Sequence, residues 1–284
     1  MKRRSFLQQT GLAVAGSEIA LASDSTLSHE AADVVSEGDS RRRVLVTSAH
    51  SVLARETADA LHADYDVQLT APTEIATRHP FTQNGLGHEK ATNMLVRGMD
   101  AIVHVAEPGI DASEEEQIDY RTRSTYNLLR AATEERVPHV IYLSSLQMLT
   151  GYDEDFEVTE DWRPLPSDDA DMLSHYLGEF TCREFAREGN VGVVVLRLGR
   201  IAKTEEVSGQ PFDPTRVDQR DVVQAVSKVL GARFSGSGPL TRNWSVFHIQ
   251  SGSPLARFTS NRAIGAFGYA PQFPQVHGLP AGKN

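Results

Sequence analysis

The chain has 284 residues with 38 acidic against 28 basic side chains, a formal charge of −10, and is 40% hydrophobic and 23% charged. That balance is ordinary for a soluble globular protein and argues against a nucleic-acid or anionic-membrane surface, since both need basic patches. The single cysteine, Cys182, excludes an internal disulfide.

The N-terminus reads as an address. Arg3-Arg4-Ser5-Phe6-Leu7-Gln8 resembles the twin-arginine export signal of bacteria. A weakly apolar stretch follows from Gly11 to Ala22, and Ala20-Leu21-Ala22 offers small residues for a signal peptidase. Glu18 inside that stretch departs from the pattern. Residues 1–22 are therefore expected to direct export by the twin-arginine route to the periplasm or beyond. Residues 23–41, polar, acidic and without period, are expected to form a linker, and residues 42–284 one domain.

From Arg43 onward, short β-branched runs alternate with helical stretches. Strands are expected at Arg43–Ser48, Asp66–Thr70, Ala101–Ala106, Val140–Leu143 and Val191–Leu198. Residues 71–88 look irregular, with any strand there weakly marked. The spacing predicts helices through Glu56 and Leu61, near Glu89–Arg97, from about Ser113 to Arg136, and from about Asp171 to Glu188, the last stopped by Gly189-Asn190. A later helix at Asp221–Leu230, a strand at Ser245–Gln250 and a short helix before Gly268 complete the pattern. Strands that are apolar throughout and alternate with helices indicate a parallel sheet covered on both faces, an α/β Rossmann-type doubly wound fold.

Several segments in this order resemble the NAD-dependent epimerase/dehydratase branch of the extended short-chain dehydrogenases. They are Asp100–Ala106, Asn127–Ala132, Tyr142-Leu143-Ser144-Ser145, Leu196–Ile201 and Asp218–Val223. The resemblance runs from about Arg43 to Pro274. It implies a Rossmann domain with a small C-terminal substrate-side region, an NAD or NADP cofactor, and a small-molecule substrate. It also implies pairing into a homodimer through the helices at 113–136 and 171–188.

At the functional positions the chain departs from the family. The family's first strand ends in Thr-Gly-x-x-Gly-x-x-Gly, whose glycines allow a tight turn and close approach of backbone to diphosphate. Here Thr47 is kept, and Ser48, Ser51 and Ala54 stand at the glycine positions. Two readings follow: serine hydroxyls and helix N–H groups still hold an anion, or the segment is a strand–helix junction without a ligand. The resemblance also puts His104 and Ala106 beside the cofactor loop, where His104 has a structural reading as well. The acid that grips the adenosine ribose is replaced by Thr70-Ala71, with Glu74 displaced nearby, and a further family aspartate aligns with Gly85.

Family enzymes pair a Tyr acid/base with a Lys four residues later, and a Ser at the end of the fifth strand positions the substrate. Ser145 matches that Ser. The Tyr position falls on Asp171 and the Lys position on His175, and no lysine occurs between Lys90 and Lys203. Three functions follow in order of preference. The first is a protein with weak or absent oxidoreductase activity that binds a nucleotide or sugar-like ligand. The second is an NAD(P)-dependent enzyme using Ser145, His175 and Tyr176 for proton transfer. The third is a hydrolase built on Ser145, His175 and Asp171, although no nucleophile elbow surrounds Ser145. The acidic run Asp153–Glu157 reads better as a solvated loop than as a cation site, and Trp162 and Arg163 are expected near the cleft.

Overall fold

The computed structural model describes residues 41–274, apart from 110, 208, 212, 214, 237–239, 241–242 and 253–255. The export signal and nearly all of the linker therefore lie outside the described residues.

The expected strands form one seven-stranded parallel sheet. In chain order they are β1 (Arg43–Val46), β2 (Asp66–Ala71), β3 (Phe81–Gln83), β4 (Ala101–His104), β5 (His139–Ser145), β6 (Gly192–Leu198) and, after a separate short pair, β9 (Trp244–Ile249). Their spatial order is β3-β2-β1-β4-β5-β6-β9. The reversal of winding at β1 and β4 opens a crevice at the carboxyl ends of the strands, where α/β proteins bind ligands. β3 is the weakly marked strand of the 71–88 region. It is short and carries no apolar run, because it only extends the end of β2 (Leu69 opposite Phe81).

Both sheet faces are dry. On one side α1 (Val52–Leu61) and α6 (Gln219–Ser235) cover Val44, Val46, Val103, Ile141, Val194 and Leu196. On the other, Leu45, Ile102, Val140, Tyr142, Val193 and Val195 meet α2 (Lys90–Val96), α4 (Thr125–Glu134) and α5 (Ala170–Arg187). Cys182 of α5 is buried in that second layer. The short pair β7 (Arg200–Ile201) and β8 (Arg216–Val217) lies just past the end of β6. The chain turns there on Gly199, because a Cβ would collide with the Thr215 carbonyl.

One expectation needs correction. The continuous helix over 113–136 is instead three segments: α3 (Glu114–Asp119), a π-helical turn at Tyr120–Ser124, and α4. A π turn inserts an extra residue and frequently marks a functional site. Ser113 and Glu116 close the N-terminus of α3 as a reciprocal capping box. The stretch contains neither Pro nor Gly, so no helix breaker in the sequence marks the π turn.

Candidate functional site

A cleft of about 450 Å³ opens above the carboxyl ends of β4, β5 and β6, within the size range of small-molecule sites. Ser145, Asp171 and His175 all line it, together with Glu107, Arg121 and Gln147.

Ser145 ends β5, and its Oγ accepts a hydrogen bond from Gln147 N at 3.1 Å, which starts the following 3₁₀ turn. Asp171 lies in the first turn of α5, where Asp169 caps the helix by accepting from Met172 N at 3.1 Å. His175 is one turn further on. Its Nε2 stands 3.8 Å from Asp171 Oδ1, and its buried Nδ1 has no hydrogen-bond partner. Burial, helped by the nearby Arg121 charge, holds the imidazole well below its ordinary pKa and hence neutral. In a serine-hydrolase relay, Nδ1 faces the carboxylate and Nε2 faces the nucleophile. Here Nε2 is the nitrogen nearest the carboxylate, and no hydrogen bond joins Ser145 to His175.

The dominant partner of Asp171 is a residue that the sequence motifs do not reveal. Arg121, brought inward by the π turn, donates from Nη1 to Asp171 Oδ1 at 2.8 Å and to Ser174 Oγ at 2.9 Å. Its Nε donates to the Ala106 carbonyl at 3.1 Å. The Arg121 side chain is only 5% exposed, whereas that of Asp171 is 51% exposed. One signal was present: Arg121 falls in step with Thr125, Leu128 and Ala132, the buried stripe of the helix, where an arginine is out of place.

The strand–helix turn is equally engaged. Ser48 adopts the left-handed conformation (φ 59°) that a glycine supplies freely, at a cost of about 1 kcal/mol for a residue with a Cβ. Its buried Oγ accepts from Glu107 N at 3.1 Å and shares a hydrogen bond with the Tyr120 hydroxyl at 3.0 Å. Ser51 is the N-cap of α1, its Oγ accepting from Ala54 N at 3.3 Å. Ser51 N donates to Ser48 O, and Ala49 N donates to Thr70 O. Arg55 Nη1 binds the Ala49 and His50 carbonyls at 2.8 and 2.7 Å. Ala54 is fully buried against the sheet. The small side chains thus keep the turn, and the Ser48 and Ser51 hydroxyls and the N–H groups of Ala49, Ser51 and Ala54 bond to the protein itself.

Thr47 and His104 form a buried tie between β1, β4 and α4. Thr47 Oγ1 contacts His104 Nδ1 at 2.8 Å and accepts from Val105 N at 3.1 Å, and His104 Nε2 contacts Thr125 Oγ1 at 2.9 Å. Burial pushes the His104 pKa down to about 3, so the ring is a neutral structural bridge. Ala106 also takes a left-handed φ of 55° and presents its carbonyl to Arg121. At the end of β2, Thr70 Oγ1 donates to Thr82 O at 2.7 Å and so serves the β2–β3 junction. Glu107 lines the cleft, and among the described residues no hydrogen bond reaches its carboxyl group. Protein crowded around that group raises its pKa, which Arg121 partly offsets.

Trp162 and Arg163 lie away from this cleft, along the flank of α5 beside Tyr176, Phe180 and Trp244. The ring of Trp162 packs edge-on against Tyr152 at 4.7 Å. Among the described residues no group of three or more His, Cys, Asp or Glu side chains is arranged to hold a metal.

Comparison with known proteins agrees with this architecture. The model of the NAD dependent epimerase/dehydratase family matches residues 44–239, more than half of the chain. A search of curated sequences finds no match. Among solved structures, a variant of uronate dehydrogenase from Agrobacterium tumefaciens complexed with NAD superposes with a TM-score of 0.68 at 21% identity, covering 81% of this chain and 84% of that one. Glucuronic acid dehydrogenase from Chromohalobacter salexigens gives 0.67 at 16% identity, covering 82% and 85%. UDP-glucuronic acid 4-epimerase from Bacillus cereus in complex with NAD gives 0.63 at 15%, covering 81% and 91%. At these identities the likeness establishes the fold.

Proposed function

The chain belongs to the NAD-dependent epimerase/dehydratase family, and on that premise we propose that it has kept the fold and cleft without the family's hydride chemistry. On this reading it is a binding protein for a small sugar-like or nucleotide-like ligand.

The observation that carries the reading is the occupant of the acid/base position. Asp171 is held by the guanidinium of Arg121 at 2.8 Å. A carboxylate engaged in this way accepts from the guanidinium and does not offer the phenolic O–H of the family's acid/base. The neighbouring Lys position holds a neutral His175, which brings no positive charge to lower a partner's pKa or hold a ribose. The turn supports the same conclusion. A dinucleotide needs free N–H groups and room for its diphosphate. Here the N–H groups of Ala49, Ser51 and Ala54 are taken, Ser48 fills its own position, and the Glu107 carboxyl stands at the cleft mouth. We read these residues as not fitting the family's cofactor, although the NAD-bound neighbours retain it.

The test is direct. Protein purified from its native host should carry no stoichiometric dinucleotide by mass or ultraviolet absorbance, and NAD or NADP should not raise its melting temperature. Stoichiometric bound dinucleotide, or reduction of NAD on adding a sugar or sugar nucleotide, would sink the reading. The twin arginines support a binding role outside the cytoplasm. On that basis, changing Arg3 and Arg4 to Lys should leave unprocessed precursor in the cytoplasmic fraction, and unchanged processing refutes export by this route.

A further inference from the structure

Resting on the binding role just proposed, we infer that the cleft selects an uncharged polyhydroxylated ligand, a free sugar or sugar alcohol, through Arg121 and Asp171 acting as one paired recognition element.

The argument starts from what the pair leaves unused. Arg121 is 5% exposed and fixed by three hydrogen bonds from Nε and Nη1. Its Nη2 donates to nothing among the described residues, yet the side chain forms part of the cleft wall. Asp171 mirrors this, with Oδ1 receiving the arginine and Oδ2 accepting no hydrogen bond among the described residues. A strong donor and a strong acceptor are thus left over on two groups already in contact, beside the same space. Both groups border the open cleft, where a ligand's polar atoms can replace the water that otherwise meets them.

Three ligand chemistries compete. A carboxylate or phosphate satisfies Nη2 but brings its charge against Asp171 and against Glu107, whose carboxyl is unpartnered in the same cleft. An ammonium group satisfies the two acids but faces the guanidinium. A hydroxyl accepts from Nη2 and donates to Oδ2 without adding charge, and neighbouring hydroxyls do both at once. Ser145 and Gln147 extend the polar wall for further hydroxyls. Close like-charge juxtaposition is costly enough to reject a charged relative of the same ring.

The π turn supplies an independent reason to place recognition here. It keeps Arg121 inward and sets Tyr120 against Ser48, a local geometry that an ordinary helix does not provide.

The test uses the full chain and calorimetric titration with D-glucose, D-galactose, D-xylose and myo-inositol. The charged relatives D-glucuronate, glucose 6-phosphate and D-glucosamine are titrated alongside. At least one neutral compound should bind, and its charged relatives at least about tenfold more weakly. Arg121→Lys keeps the charge but lacks Nη2, and Asp171→Asn removes the charge from a half-exposed position that tolerates it; both should weaken binding about tenfold or more. Arg183→Ala, on the outer surface of α5, should leave it unchanged. Binding by none of the neutral compounds, tighter binding of a charged relative, or parental affinity in Asp171→Asn overturns the inference. NAD binding together with sugar-dependent reduction of NAD instead overturns the binding-protein reading and leaves neutral-sugar selection to be judged by the affinities.

Discussion

Replacing Arg121 with Met should destabilise the protein far more than replacing its partner Asp171 with Asn. Met keeps most of the apolar stem, so the cost comes from the polar contacts rather than from a cavity. The largest loss is at Ala106, whose buried carbonyl forfeits its 3.1 Å bond from Nε. A buried acceptor left unpaired costs about 1–3 kcal/mol. Ser174 loses less, because its hydroxyl still donates to the Asp171 carbonyl at 2.9 Å. The charge pair adds about 0–1 kcal/mol, since Asp171 is half exposed and screened by solvent. The sum for Arg121→Met is about 2–4 kcal/mol, or roughly 5–15 °C in melting temperature for a domain of this size. Asp171→Asn should cost less than about 1 kcal/mol. Urea unfolding followed by far-ultraviolet circular dichroism measures both. Equal losses for the two variants, or under about 1 kcal/mol for Arg121→Met, would refute the assignment of Arg121 as the buried anchor of this region.

Gly178 faces the same pin from α5: a Cβ there would sit 2.6 Å from the Arg121 carbonyl and closer still to the Tyr142 hydroxyl. Gly178→Ala should therefore destabilise by about 1–3 kcal/mol in thermal unfolding despite the better helix propensity of Ala; adding Tyr142→Phe should recover part of the loss, and a stabilised single variant contradicts the packing. Acid should unfold the protein early, because His104 and His248 are held down to about 3 and His175 well below its ordinary value. The unfolded chain then binds more protons between about pH 3 and 6.5, so stability is full above that window and falls by about 1.4 kcal/mol per pH unit per histidine as pH drops through it. The raised carboxyl groups of Glu107, Glu160 and Asp221 oppose this in part. Stability that stays flat from pH 7 to about pH 5 in urea titrations refutes the neutral-histidine account.

The sheet was legible because burial on both faces makes β4 to β6 mostly apolar, so the runs at 101–106, 140–143 and 191–198 declare themselves. β3 was not, since its three residues gain order only from pairing with the end of β2. The π turn was equally hidden, because the residues it contacts, Ser48, Ala106 and Asp171, lie up to 72 residues away in sequence. At the site, motif position alone pointed to Ser145, Asp171 and His175, and all three do line one cleft. What position could not convey is that Asp171 is engaged by an arginine from another helix.

The departures from the family pattern are physically connected. A glycine at position 48 would have no hydroxyl to bond Tyr120, and a tyrosine at position 171 would have no carboxylate to receive Arg121. Tyr120 and Arg121 are consecutive residues of one π turn, so the serine of the turn and the aspartate of α5 brace it from its two sides. Glu107 joins them, its N–H bonded to Ser48 Oγ while its carboxyl group stands by Arg121. Replacing the glycine therefore supports the same local geometry that replacing the catalytic tyrosine requires. Two departures that look independent along the sequence thus meet at one wall of the cleft, where Ser48 braces Tyr120 and Asp171 braces Arg121.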